Sequence, residues 1–241
     1  MVATPFHKQR LRFLAVAAVL GTAAFYAGTH LLAPRPLPPT HPLTGRQIAG
    51  IATDAGWLDR VSREGEEAPD LALQLIGIHA GMVVADVGAG SGYMTTRLAQ
   101  LVGPTGRVYA NDLQPSMLRI IQEKARAAGL SNVEIVQGTE TDAHLPDGAI
   151  DLALLVDVYH EMWHPREMLR SIRRSLKAGG ALVLVEYRKE DPNIPIAPTH
   201  RMSVRDVRTE VEAEGFTFER LVSGLPRQHI IMFRKATGSL E

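Results

Sequence analysis

Val83-Val84-Ala85-Asp86-Val87-Gly88-Ala89-Gly90-Ser91-Gly92-Tyr93 is a short apolar run, then an acid, then three glycines at alternate positions. The run reads as a buried parallel strand delivering the backbone into a tight turn, with Ser91 placed to cap the helix that follows. Glycines lack Cβ, so they take φ > 0 and let a ligand's polar groups approach the main chain, while Asp86 brings acceptors to the strand's carboxyl end. Such a turn suits a nucleotide-like ligand. Its spacing argues against the dinucleotide fingerprint G-x-G-x-x-G, because Tyr93 stands where the third glycine belongs.

Downstream, a helix is expected over 91–102, with Met94, Leu98, Leu101 and Val102 at helical spacing and Gly103-Pro104 as its stop. A second strand over 107–111 ends at Asp112, about twenty residues beyond Gly92, where nucleoside-binding folds place the acid that accepts the ribose hydroxyls. Pro115 is well placed near the start of the next helix. Strand signals at 82–87, 107–111, 133–137, 149–156, 181–187, 216–221 and 229–234 alternate with helical ones up to the last pair, which a short turn joins. The expected fold is α/β: a doubly wound, mostly parallel seven-stranded sheet with an antiparallel edge hairpin. Asp86, Asp112, Asp157 and Glu186, each at or near a strand end, are expected to face one cleft.

The pattern acid-x-G-x-G-x-G from Asp86 to Gly92 resembles motif I of the class I S-adenosylmethionine-dependent methyltransferases, and the resemblance extends over residues 75–235. Gly138-Thr139-Glu140 follows the third strand. Leu145-Pro146-Asp147-Gly148 with Asp151 leads into the fourth, and Leu176-Lys177-Ala178-Gly179-Gly180-Ala181 into the fifth, as in small-molecule methyltransferases including the quinone C-methyltransferases. The resemblance implies a Rossmann-like methyltransferase fold and S-adenosylmethionine as cofactor, contacted by Asp86, Gly88, Gly90, Gly92, Asp112, Thr139, Glu140 and Asp157. It implies methyl transfer to a small or lipid-like acceptor. Where Thr139 stands the family usually has an acid, so Glu140 or Asp142 is the substitute. The resemblance sets Tyr159-His160-Glu161 in the loop beside the transferable methyl group, making His160 the candidate base and Glu161 its neighbour or a substrate contact.

Two other readings stay open. One is a module that binds S-adenosylmethionine without catalysis. The other is a metal-dependent hydrolase, since His160-Glu161-Met162-Trp163-His164 has the His-Glu-x-x-His spacing of zinc peptidases. The segment leaves a buried strand, however, and Pro165 starts a helix more readily than it sits inside one, so no metal ligands are assigned. Asp191 to Pro198 holds three prolines and reads as a loop that closes over the substrate, followed by His200 and Arg201, which read as capping or surface residues ahead of the alternative that they touch substrate. His229 reads as structural. Arg60, Arg63, Glu64, Glu66 and Glu67 read as a solvated face.

With 26 Lys and Arg against 26 Asp and Glu, the chain lacks the basic excess of a nucleic-acid binder. It has no cysteine, which excludes disulfides, thiolate zinc sites and cysteine nucleophiles. Lys8, Arg10 and Arg12 precede an uncharged, mostly apolar stretch over 13–33, closed by Pro34-Arg35-Pro36. It reads as a membrane anchor or a cleaved export signal, long enough as a helix to span about 30 Å of hydrocarbon. The charge bias sends the remainder to the far side of the membrane, where S-adenosylmethionine is not normally expected. Either the cofactor reaches that side, or the segment inserts the other way, or the domain binds something else. The expected organisation is 1–33 signal or anchor, 34–43 proline-rich linker, 44–80 helical cap and 81–241 methyltransferase domain.

Overall fold

The structure, a computed structural model, describes residues 39–236, so the membrane-directed stretch expected over 13–33 lies outside the described residues. Among the described residues no helix is long and apolar enough to cross a membrane. Seven strands form one sheet: β1 (Val83–Val87), β2 (Arg107–Asp112), β3 (Val133–Gln137), β4 (Ile150–Val156), β5 (Leu176–Tyr187), β6 (Phe216–Val222) and β7 (Gln228–Lys235). Their order is β3-β2-β1-β4-β5-β7-β6. The first five are parallel, and β7 runs antiparallel between β5 and β6, which gives the expected edge hairpin.

Period-two alternation sends successive residues to opposite faces, and here both faces are buried. Val84, Leu152, Leu154, Val183, Val185 and Met232 pack beneath α3 (Pro69–Ile76) and α4 (Tyr93–Val102). Ala85, Ala153, Leu155, Leu182, Leu184 and Phe233 pack beneath α6 (Pro165–Ser175) and α7 (Val204–Glu212). Beside α4, toward the β3 edge, α5 (Pro115–Ala127) covers Ala110 with Leu118 and Ile121. Fully buried aliphatic side chains such as Leu98 and Leu154 each stabilise the fold by roughly 1.5–3 kcal/mol relative to exposure. Strands β1 and β4 are neighbours, but the chain proceeds from β1 outward to β2 and from β4 the other way to β5. That reversal opens a crevice beyond their carboxyl ends, where ligands of such sheets lie.

Two local expectations are corrected. Ser91 does not cap α4: Gly92, at φ 79°, holds the N-cap position without a side-chain bond, and the Ser91 hydroxyl donates instead to Asp59 Oδ1 at 2.7 Å. Strand β5 begins at Leu176 rather than Ala181, because Leu176 already pairs with Ile150 before an irregularity resets the register at Leu152 and Ala181.

Ahead of the sheet, residues 45–54 are irregular, followed by the short helices α1 (Ala55–Leu58) and α2 (Arg63–Glu67). The irregular segment is pinned across the crevice. Ala49 N–H donates to the His160 carbonyl at 2.9 Å, Ala52 N–H to Glu161 Oε2 at 3.0 Å, and Gln114 Nε2 to the Ala52 carbonyl at 2.9 Å.

Candidate active site

A cleft of about 410 Å³ occupies this crevice. One wall is the glycine loop. Gly88, Gly90 and Gly92 have φ of 72°, 53° and 79°, the left-handed region that L side chains resist. Space forbids side chains as well: a Cβ on Gly88 would lie 2.3 Å from Val158 Cγ2, and one on Gly90 2.8 Å from Leu58 Cδ1. The loop is locked to the end of β2, where Asp112 Oδ2 accepts the Gly90 N–H and Oδ1 accepts the Gln114 N–H, both at 2.8 Å. Burial pushes the Asp112 carboxyl above its ordinary pKa, against the pull of those two N–H groups. Each oxygen retains a lone pair for a ligand hydroxyl.

Asp86, at the end of β1, is buried and accepts the Thr95 hydroxyl at 2.6 Å. Burial raises its pKa to about 6, opposed by Thr95 and reinforced by the Asp112 charge. Asp157 follows β4 with φ of 51°, a strained backbone for a non-glycine residue. Its Oδ2 accepts from Gln228 Nε2 at 2.6 Å, while its buried Oδ1 has no hydrogen-bond partner among the described residues. Burial raises its pKa well above the usual range, and the nearby charges of Glu67 and Glu186 add to the effect.

The opposite wall comes from a 3-10 turn at Tyr159–Glu161 and another at Pro198–His200. His160 Nδ1 lies 2.6 Å from Glu186 Oε2, and its Nε2 lies 3.0 Å from His200 Nδ1. Glu186 is fully buried. Burial disfavours the imidazolium of His160, but Glu186, with Glu161 and Asp157, outweighs it and raises the pKa. His200 is shifted down by burial and by the His160 charge, and Glu161 is shifted up by burial. His160, Glu161 and His200 bring three metal-capable donor atoms within 4.8 Å of one another.

Asp86, Gly88, Gly90, Asp112, Thr139, Glu140, Asp157, His160 and Glu161 all line the cleft, and Gly92 sits directly behind it against Ile121. Three readings are corrected. Glu186 does not face the cleft but stands behind His160. Asp142 is turned away, bound to Ser171 at 2.6 Å and Arg174 at 2.9 Å. The charge run at 60–67 is not a solvated face. Arg63 and Glu67 are buried, paired at 2.6 Å, with the Arg63 guanidinium over the Tyr93 ring at 4.2 Å, and both line the cleft with Arg60. The spacing of the His-Glu-x-x-His motif also fails to assemble: His164 is the N-cap of α6, about half exposed and 3.5 Å from Glu140. His200 stands beside His160 in the cleft, as the alternative of a substrate contact would have it and not the favoured capping or surface role.

The family profile described as "Methyltransferase domain" matches residues 84–180. Among curated proteins, the ubiquinone/menaquinone biosynthesis C-methyltransferase UbiE of Pseudomonas fluorescens is 36% identical over 119 residues, 49% of this chain and 46% of that protein. The Pseudomonas putida counterpart is 30% identical over 154 residues, 64% of this chain and 56% of that protein. The chain thus spans about half the length of the curated relatives it matches. The crystal structure of a SAM-dependent methyltransferase from Aquifex aeolicus superposes with a TM-score of 0.72 at 29% identity, covering 77% of this chain and 100% of that one. With the strand order, the glycine loop and Asp112, these likenesses establish that the chain carries a class I methyltransferase domain, a family whose cofactor is S-adenosylmethionine.

Proposed function

We propose that this protein transfers a methyl group from S-adenosylmethionine to a small, lipid-like acceptor. The observation that carries the reading is the pairing of two walls on one cleft: a glycine loop with no room for side chains, locked to Asp112, and the trio His160, Glu161 and His200 facing it. When bound, the cofactor supplies an electrophilic methyl group on a sulfonium. Gly88 and Gly90 leave the main chain open to close approach, and the free lone pairs of Asp112 accept the ribose hydroxyls. Thr139 and Glu140 serve the adenine end. Asp86 and Asp157 serve the methionine end, where the unpartnered Asp157 Oδ1 suits an ammonium group.

Displacement at a sulfonium methyl needs alignment first, and an activated acceptor only where the nucleophile carries a proton. In this proposal that activation falls on His160, Glu161 and His200. Apolar side chains at Ile51, Trp57, Leu58, Met162, Trp163 and Ile196 line the same cleft and give it an apolar surface. They suit a quinone-like acceptor, as the names of the curated relatives suggest. Residues 13–33, as an anchor or export signal, would bring the domain to such acceptors in or across a membrane. A reporter fused after Glu241 tests the orientation: signal from the far side is expected, and a cytoplasmic signal rejects it.

Titration calorimetry of the full chain with S-adenosylmethionine and S-adenosylhomocysteine tests the cofactor. Binding of neither would reject the reading. Transfer of labelled methyl from the cofactor into membrane-lipid extracts tests the acceptor class.

A further inference from the structure

We propose that His160, Glu161 and His200 form a three-ligand site for a divalent metal of the zinc class, facing the methyl acceptor. His160 Nε2 and His200 Nδ1 are 3.0 Å apart, Glu161 Oε1 is 3.8 Å from the first and 3.6 Å from the second. A point equidistant from the three atoms lies about 2.0 Å from each, the usual Zn–N and Zn–O bond length. Hydrogen bonding does not account for this convergence. A proton between the two imidazoles serves two of the atoms and leaves Glu161 Oε1 beyond bonding reach of both. Its other oxygen is already taken by the Ala52 N–H at 3.0 Å. A cation serves all three.

The surroundings match a metal site in a second, independent way. The buried Glu186 carboxylate holds His160 Nδ1 at 2.6 Å, which puts the ring proton on that nitrogen and turns the Nε2 electron pair to the cleft. Carboxylates placed behind imidazoles in this manner orient metal ligands and raise their basicity. Two imidazoles and one carboxylate suit zinc, iron or manganese, and three protein ligands leave positions open for a ligand from the cleft. This site differs from the one implied by the His-Glu-x-x-His spacing. Glu161 is a ligand rather than a base, and the second histidine is His200 rather than His164.

On the methyltransferase reading, the metal selects the acceptor class. An acceptor bearing a phenolic or enolic oxygen occupies the open position, its O–H proton leaves to water, and the electron pair stays on the oxygen beside the metal. The activated acceptor then needs no protein base.

The test is equilibrium binding of zinc to the metal-stripped full chain, with cobalt as a spectroscopic substitute whose visible absorption reports nitrogen and oxygen ligation. Zinc suffices as the probe because such sites bind it more tightly than manganese or ferrous iron. The expected result is one zinc per chain. His200→Ala and Glu161→Gln, which leave the buried His160 in place, should weaken binding at least about tenfold, and Glu186→Gln about 10- to 100-fold. His164→Ala should retain it. Absence of stoichiometric zinc, or zinc lost in His164→Ala and kept in His200→Ala, overturns the site. Cofactor binding measured on the same samples separates the two readings: zinc without cofactor binding rejects the methyltransferase reading alone, and cofactor without zinc rejects the metal alone.

Discussion

Asp112 reaches back over the sheet to accept the Gly90 N–H at 2.8 Å, so the acid expected to hold the ribose is also the strut that shapes the glycine loop. Asp112→Ala therefore removes both a ligand acceptor and a loop restraint. Charge-assisted hydrogen bonds contribute about 1.5–3 kcal/mol each, which corresponds to roughly ten- to hundredfold in affinity. Calorimetry should show S-adenosylmethionine and S-adenosylhomocysteine weakened together by at least that factor. Unchanged affinity for both would place the ribose elsewhere.

Gly88 combines two constraints that a single substitution separates. Its φ of 72° costs an L residue about 1–2 kcal/mol, and a Cβ would meet Val158 Cγ2 at 2.3 Å. Overpacking of that kind adds about 1–3 kcal/mol. Gly88→Ala should lower the urea midpoint and cofactor affinity together. Adding Val158→Ala should recover part of the loss relative to Gly88→Ala alone, because it removes the two γ-carbons that clash and leaves the backbone strain and a tight 3.0 Å contact with the Val158 Cβ. No recovery would mean that the backbone conformation accounts for the whole effect.

Contrast between these loops and the far wall explains what could be read from the chain alone. The strands were legible because both faces of the sheet are buried, so Val83 to Val87 and Ile150 to Val156 are apolar with little interruption. Asp112 was legible because its distance from Gly92 is set by one helix and one strand. The capping role of Ser91 was misread because Asp59, thirty-two residues earlier, takes its hydroxyl. Arg63 and Glu67 were misread because a charge run looks solvated until each charge finds its partner in the fold. For His200 the capping or surface role outweighs substrate contact in the sequence because forty residues separate it from His160, and only the loop after β5 brings the two rings together. For Ser91 and His200 what escaped the sequence is a contact between distant segments; for Arg63 and Glu67 the pair itself is local, and what escaped is its burial against Tyr93 and Tyr187.

Asp86 has a pKa of about 6 in the fold against 3.8 in the unfolded chain. Because the folded value is raised, the native state takes up the proton first as pH falls from about 6 to 4, and stability gains over that window. Above pH 6 both states are ionised and the buried charge costs the native state up to about 3 kcal/mol, at 1.36 kcal/mol per unit. Asp86→Asn keeps an oxygen for the Thr95 hydroxyl and removes the charge. The cofactor-free variant should unfold at higher urea than the parent at pH 7.5, with the difference shrinking toward pH 4.5. A lower midpoint at both pH values would show that the charge stabilises the fold. If Asp86 contacts the cofactor, the same variant should bind it more weakly, so that stability and affinity move in opposite directions.

Arg46 holds Glu210 through Nε and Nη2, at 2.9 to 3.0 Å, with both side chains buried and the guanidinium 5.2 Å from the Tyr159 ring centroid. This pair fastens to α7 the segment whose Ala49 and Ala52 N–H groups hold the His160–Glu161 turn, and Arg46 Nη1 itself donates to the His160 carbonyl at 3.5 Å. Removing one partner leaves the other charge buried without its counter-ion, which costs about 3–5 kcal/mol, whereas replacing both with apolar residues is often near neutral; Glu210 keeps the Thr44 hydroxyl and the His41 ring beside it when Arg46 is removed. Arg46→Met and Glu210→Leu should each destabilise strongly, and the double variant should recover most of the loss in a double-mutant cycle. Because Ala52 N–H holds Glu161 Oε2, loosening the segment should slow methyl transfer more than it weakens cofactor binding. Equal losses in both would mean that the segment supports the glycine loop as much as the acceptor side.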